Sequence, residues 1–158
     1  MKNLILVLFL LLLSCKSKDN RFLSEFEFNE PKQEQALIQD TVNTTPFLFA
    51  FRESTRLENG DWYRAKVFLV NYSIPSEYSD STVVKFLPDS ASYEEVLKNG
   101  MNAVVVGDTG YVKFKAHQQN IEKGDSVVKQ WTAIYTNPSI PSNRTYKVHM
   151  EYLLKGKN

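Results

Sequence analysis

The chain has 158 residues, 42% of them hydrophobic and 23% charged, with 19 Lys+Arg against 18 Asp+Glu and a formal net charge of +1. That length makes one domain with a tail, and the near-zero balance gives no electrostatic reason to expect nucleic acid as a partner. Ten Phe, eight Tyr and two Trp argue against a disordered chain, and one Cys and two His leave no material for a disulfide or a structural zinc site.

The chain starts with the short positive stretch Met1-Lys2-Asn3. Leu4 to Leu13 is then an unbroken run of ten apolar residues. A spanning helix needs about 20, whereas ten suits the core of a signal peptide. The run ends in Ser14-Cys15, and the chain turns polar at once with Lys16-Ser17-Lys18-Asp19-Asn20.

Leu12-Leu13-Ser14-Cys15 resembles the lipobox of bacterial lipoproteins: an aliphatic residue at −3, a small residue at −1, then the Cys. The resemblance implies that the Cys15 thiol is alkylated with diacylglycerol, that residues 1–14 are removed as a signal peptide, and that the new amine is acylated. Two or more acyl chains give stable membrane attachment, where one is marginal. The mature chain would hold 144 residues with a formal charge of zero and no free thiol. An ordinary secretory leader with an incidental Cys is the competing reading. Within the lipoprotein family, Lys16 after the Cys favours the outer membrane over inner-membrane retention. The lone acid that follows, Asp19, favours a domain facing the periplasm over one exported to the cell surface.

Residues 15–45 read as a tether with some structure. Phe22, Phe26 and Phe28, with Leu23 between them, are unusual for a bare linker. They either form a short strand that docks on the domain, the simpler reading, or help bind a partner. Pro31 followed by Lys32–Gln39 predicts a short, marginal helix. Thr41 to Thr45 is polar and reads as loop.

Residues 46–158 read as the domain, built of short strands. Phe47–Phe51 is the first. Asn59-Gly60-Asp61 is a turn, and Trp62–Tyr72 is a long strand with Tyr63, Ala65, Val67 and Leu69 on one face. Thr82–Leu87 is a third strand, ended by Pro88. Asp89–Lys98 is ambiguous. Ser92-x-x-Glu95 has capping-box spacing for a short helix closed at Asn99-Gly100. The same Asn99-Gly100 could be a type I′ turn between strands Tyr93–Leu97 and Met101–Val106; the hairpin is the preferred expectation. Gly107-Asp108-Thr109-Gly110 is a compact turn. After it, Val112, Phe114 and Ala116 alternate with Lys113 and Lys115. Ser126–Thr136 follows, with Val127, Trp131, Ala133 and Tyr135 sharing a face with Lys129. The last strand, Arg144–Leu154, alternates strictly, with Tyr146, Val148, Met150, Tyr152 and Leu154 on one face. About seven antiparallel strands in about 100 residues, with no crossover helix, predict an all-β immunoglobulin-like sandwich.

Trp62–Leu154 also resembles the periplasmic immunoglobulin-like modules of the gliding-motility and type IX secretion motor-shaft protein. The residues concerned are Tyr63-Arg64-Ala65-Lys66-Val67-Phe68-Leu69, the Asn99-Gly100 turn, Gly110-Tyr111-Val112-Lys113-Phe114-Lys115-Ala116 and Thr145-Tyr146-Lys147-Val148. That family is anchored by a transmembrane helix and carries several modules in series, unlike this chain. The resemblance implies a related envelope module and identifies no site.

Asp108-Thr109-Gly110 matches the catalytic triplet of aspartic proteases, but those enzymes need two carboxylates sharing a proton, and a hairpin turn explains the residues without chemistry. His117 and His149 lack acidic or thiol partners at metal-ligand spacing and read as surface residues. Nucleophile elbows, phosphate loops and Gly-rich cofactor motifs are absent, so no cofactor and no catalysis are expected. Four Asp-Ser/Thr-apolar triplets mark candidate O-glycosylation sites at Thr41, Ser81, Ser90 and Ser126. The N-glycosylation sequons at Asn43, Asn71 and Asn143 read as incidental. Tyr72, Tyr78 and Ile140, in two Pro-containing loops, are the candidate binding patch, with loop packing as the simpler account. The leading expectation is a lipid-anchored envelope protein acting through protein–protein contacts, with motility or secretion machinery. The alternatives are a glycan- or peptide-binding lipoprotein and an inhibitor or immunity lipoprotein.

Overall fold

The structure is a computed structural model, and it describes residues 45–157. Among these residues nine strands form two sheets. In chain order they are β1 (Phe47–Arg52), β2 (Arg56–Glu58), β3 (Trp62–Val70), β4 (Val83–Leu87), β5 (Met101–Asn102), β6 (Val104–Val106), β7 (Thr109–Lys115), β8 (Ser126–Thr136) and β9 (Tyr146–Lys155). A 3-10 helix spans Ser76–Ser81, and one α-helix, α1, spans Tyr93–Asn99. The first sheet has the order β1-β3-β7-β6 and the second β2-β9-β8-β4-β5.

All pairings are antiparallel except β2 with β9. The immunoglobulin constant-type sandwich has one sheet ABED and another CFG. Here β1, β3, β7 and β6 take the places of A, B, E and D, and β4, β8 and β9 those of C, F and G. The seven expected strands are therefore present in the expected arrangement, with β2 and β5 added as short edges.

The alternation that marked the strands is the alternation of burial. Tyr63, Ala65, Val67 and Leu69 of β3 point between the sheets, as do Val112 and Phe114 of β7. Tyr152 and Leu154 of β9 and Trp131, Ala133 and Tyr135 of β8 meet them. Antibody domains pin strands B and F with a disulfide. The corresponding strands here are joined by aromatic packing, with Tyr63 edge-on to Trp131 at 5.5 Å between centroids. Phe114 stacks on Tyr63 at 5.0 Å, and Tyr152 lies 4.9 Å from it. A Cβ on Gly110 of β7 would come within 2.6 Å of the Val84 side chain, so glycine there lets the two sheets approach.

The hairpin expected across Asn99-Gly100 does not form; Tyr93–Asn99 is helix. The capping box decides it. Ser92 Oγ accepts from Glu95 N–H at 3.1 Å, and the Glu95 carboxylate accepts from Ser92 N–H at 2.7 Å. Gly100 has φ −68°, not the positive φ that a type I′ turn requires. Its N–H donates to the Val96 carbonyl, and Lys85 Nζ donates to that of Leu97, so two late helical carbonyls are satisfied. Met101–Val106 is likewise not one strand. It pairs with β4 as β5, then crosses at Ala103 to pair with β7 as β6. The Ala103 N–H bonds the Val84 carbonyl at the crossing. The turn before β7 is shorter than expected: Gly107-Asp108 alone connects Val106 to its partner Thr109. Its φ is positive only at Gly107, the type II′ pattern.

Candidate functional site

Of the sequence-derived site residues, Cys15 and Thr41 lie outside the described residues, as do the three Phe of the tether and the helix expected over residues 32–39. The other three candidate glycosylation residues are all exposed: Ser81 at the end of the 3-10 helix, Ser90 ahead of α1, and Ser126 at the start of β8.

Tyr72, Tyr78 and Ile140 do gather at one end of the sandwich, but the geometry there is that of a braced loop cluster. Tyr72 is half-buried, and its hydroxyl donates to the Ser139 carbonyl at 2.7 Å. Ile140 packs against the core. Asn137, a residue not singled out from sequence, organises the cluster. Its Nδ2 donates to the Tyr78 carbonyl (2.8 Å) and to Thr82 Oγ1 (2.9 Å). Its Oδ1 accepts from the N–H and the hydroxyl of Ser139. All four hydrogen-bonding capacities of the buried amide are used. Tyr135 Oη donates to the Asp108 carbonyl at 3.0 Å, so Thr82 Oγ1 supplies the proton of the 3.3 Å Thr82–Tyr135 contact. The β3–β4 connection, the β8–β9 loop and the β6–β7 turn are thus tied together. An Asn-Pro step such as Asn137-Pro138 marks a turn locally, but not the bonds that Asn137 makes across the cluster.

A cleft beside that cluster is lined by Tyr93, Tyr135, Asn137, Ile140, Pro141 and Arg144 among others, with a volume of 180 Å³. That is below the roughly 300 Å³ where small-molecule sites begin. Neither Tyr72 nor Tyr78 lines it. The paired exposed tyrosines around a groove that a glycan-binding end would use are not formed.

Asp108 is exposed at its hairpin tip, where its carboxylate accepts from the Thr109 hydroxyl at 3.1 Å. His117 is exposed. His149 is also solvent-facing, but its Nδ1 lies 2.9 Å from Thr132 Oγ1. The Thr132 hydroxyl donates to the Asp89 carbonyl and accepts from Ala91 N–H. Its one proton is thereby used, so His149 Nδ1 carries the proton of that contact. Burial first, and the Lys147 charge second, push the His149 imidazole below its usual pKa. Among the described residues no group of three or more His, Cys, Asp or Glu is placed to hold a metal ion. No helix among them is long and apolar enough to cross a membrane.

The more distinctive surface lies on the flank where the two sheets end side by side. Among the described residues β1 is the edge strand of the first sheet. In the second, β2 pairs with only Leu153–Lys155 of β9. Among the described residues no strand pairs with the outer edge of Tyr146–Met150. Between the two edges runs a groove of 270 Å³ lined by Leu48–Arg52, Val148 and Met150. The Arg52 guanidinium crosses it to donate to the Glu151 carbonyl. Burial holds the Tyr63 hydroxyl behind it at a pKa of about 12, only partly offset by Trp131 and Arg52. This flank was not predicted from sequence, because strand alternation reports which face is buried and not which edge is paired.

No protein-family model, curated protein or solved structure is significantly similar to the chain.

Proposed function

We propose that this chain is a non-catalytic, lipid-anchored module of the bacterial cell envelope that works by holding a partner protein, in the setting of gliding-motility or secretion machinery. Acylation of Cys15 tethers it, with the outer membrane, periplasmic face, as its place. The reading of the anchor rests on the run Leu4–Leu13 closing in Leu12-Leu13-Ser14-Cys15. The observation that carries the binding role is the pair of strand edges, β1 and Tyr146–Met150 of β9, on either side of an apolar groove. Unpaired edges present rows of backbone donors and acceptors, and an extended peptide can add to them while its alternate side chains enter the groove. The braced loop end, in contrast, offers no opening of ligand size, which favours this reading over capture of a glycan by Tyr72 and Tyr78.

The test is a photo-cross-linking amino acid placed at Val148 and, separately, at Met150 in cells bearing the full chain. One discrete adduct with a component of the motility or secretion machinery is the expected result. Absence of any adduct from both positions, with the protein present at its normal level, would contradict the reading.

A further inference from the structure

The outward face of the first sheet is unusually apolar for a surface. Its outward positions carry Phe47, Phe49 and Phe51 on β1, Trp62, Phe68 and Val70 on β3, and Val104 and Val106 on β6. Phe47 and Phe49 are each 40% exposed and Trp62 is 44% exposed. Phe49 and Phe68, directly opposite in register, pack at 5.6 Å. The charged outward positions on the same strands are all basic: Arg64 and Lys66 on β3, Lys113 and Lys115 on β7. Trp62 lies under the ammonium groups of both Lys113 and Lys115, at 5.0 and 5.8 Å. A contiguous aromatic face of this kind marks a contact surface.

We propose that the occupant of this face is the chain's own segment Phe22–Glu30, laid across it in extended form. Three features of the sequence match the face. The segment alternates with period two: Phe22, Ser24, Phe26 and Phe28 fall on one side, Leu23, Glu25, Glu27 and Asn29 on the other. It carries three acids, Glu25, Glu27 and Glu30, and no base, against strands whose outward charges are basic, Lys66, Lys113 and Lys115 beside an Arg64 that already pairs with Glu53 at 2.8 Å. Long lysine stems can lie along the aromatic rings and reach the flanking carboxylates. Finally, the reach is sufficient. Fourteen residues, 31–44, separate Glu30 from Thr45, where the described chain enters β1. They can extend to about 45 Å, against about 15 Å across four strands.

This seating changes what the tether does. For a lipid on Cys15, only residues 15–21 would separate membrane and domain, a span of about 25 Å at most, in place of about 100 Å for the whole tether. That consequence rests on acylation of Cys15, whereas the seating does not.

The experiment uses the full chain with p-benzoyl-phenylalanine replacing Phe26 or, separately, Phe28. Irradiation should give intramolecular cross-links to β1, β3 or β7 on the side of Phe49, Phe68 and Tyr111, with a yield independent of protein concentration. Links between two copies, links to another protein in native membranes, or links to the second sheet would each overturn the proposal. A second measurement needs no cross-linker: Phe26→Asp with Phe28→Asp should raise acylation of Lys66 and Lys113 by an amine-reactive ester at least about threefold, and unchanged reactivity would overturn it.

Discussion

The two sheets treat their outward faces differently. On the second sheet, the outward side of β8 is covered: Thr132 and Ile134 are 0% exposed beneath α1 and the segment leading to it. On the first sheet, Phe47 and Phe49 stand 40% exposed. One sheet buries its outward apolar residues with a local helix fixed by a capping box. The other presents aromatic rings of equal or larger size to whatever lies beyond the described residues. The covered face therefore contributes to the stability of the fold itself, whereas among the described residues no helix covers the face of the first sheet.

That contrast can be broken at the core. Ile134→Ala should cost about 2–5 kcal/mol, the range for deleting a packed aliphatic side chain, and Trp131→Ala about 3–5 kcal/mol. Urea denaturation would show a lower midpoint with unchanged slope. The inner aromatic cluster sharpens it next, through pH. Burial raises the Tyr63 hydroxyl from 10.0 to about 12. Below pH 10 neither state ionises it and its contribution is whole. Between pH 10 and 12 the unfolded state loses the proton first, so stability falls with rising pH, by about 3 kcal/mol in total. Tyr152 is raised to about 12 in the same direction, so Tyr63→Phe should reduce the alkaline slope without abolishing it. Denaturant midpoints from pH 9 to 12 test this.

Smaller effects separate the helical cover from the sheet beneath it. Ser92→Ala removes the cap of α1 and should cost about 1 kcal/mol, with hydrogen exchange rising in Val96–Gly100 well before it rises in β8. Smallest is His149. Its pKa is lowered by burial and by Lys147, so the unfolded state takes the proton more readily. Its stabilising contribution is whole above the unfolded value near 6.5 and is lost as pH falls below it. The ring is largely solvated, so His149→Gln should flatten the acid limb of a stability profile only slightly.

How much of this was legible depended on the kind of signal. Strands with strict alternation, such as Tyr63–Leu69 and Tyr146–Leu154, declared both their existence and their inner face, because burial and period two are the same fact. Tyr93–Asn99 is helix where the hairpin is the preferred expectation, since Asn99-Gly100 suits a hairpin as well as a helix end. The deciding term was the reciprocal Ser92–Glu95 bond, whose spacing was visible but whose strength relative to the turn was not. β2 escaped notice because Arg56-Leu57-Glu58 has one apolar residue and is a strand only through its parallel partner β9. The flanking groove and Asn137 escaped for a related reason: edge exposure and a loop's internal bonding are set by tertiary neighbours that no local pattern encodes. Tyr72 and Ile140, read from sequence as members of two loops, meet where the Tyr72 hydroxyl bonds the Ser139 carbonyl and Ile140 packs against the core.

The reading as a whole depends on the chain being a tethered sandwich, and intact mass spectrometry of the protein isolated from native membranes tests that most directly. A polypeptide beginning at Cys15, heavier than its sequence by two or three acyl chains and the glycerol, is the predicted result. A polypeptide that retains Met1 and carries Cys15 as a free thiol would contradict it.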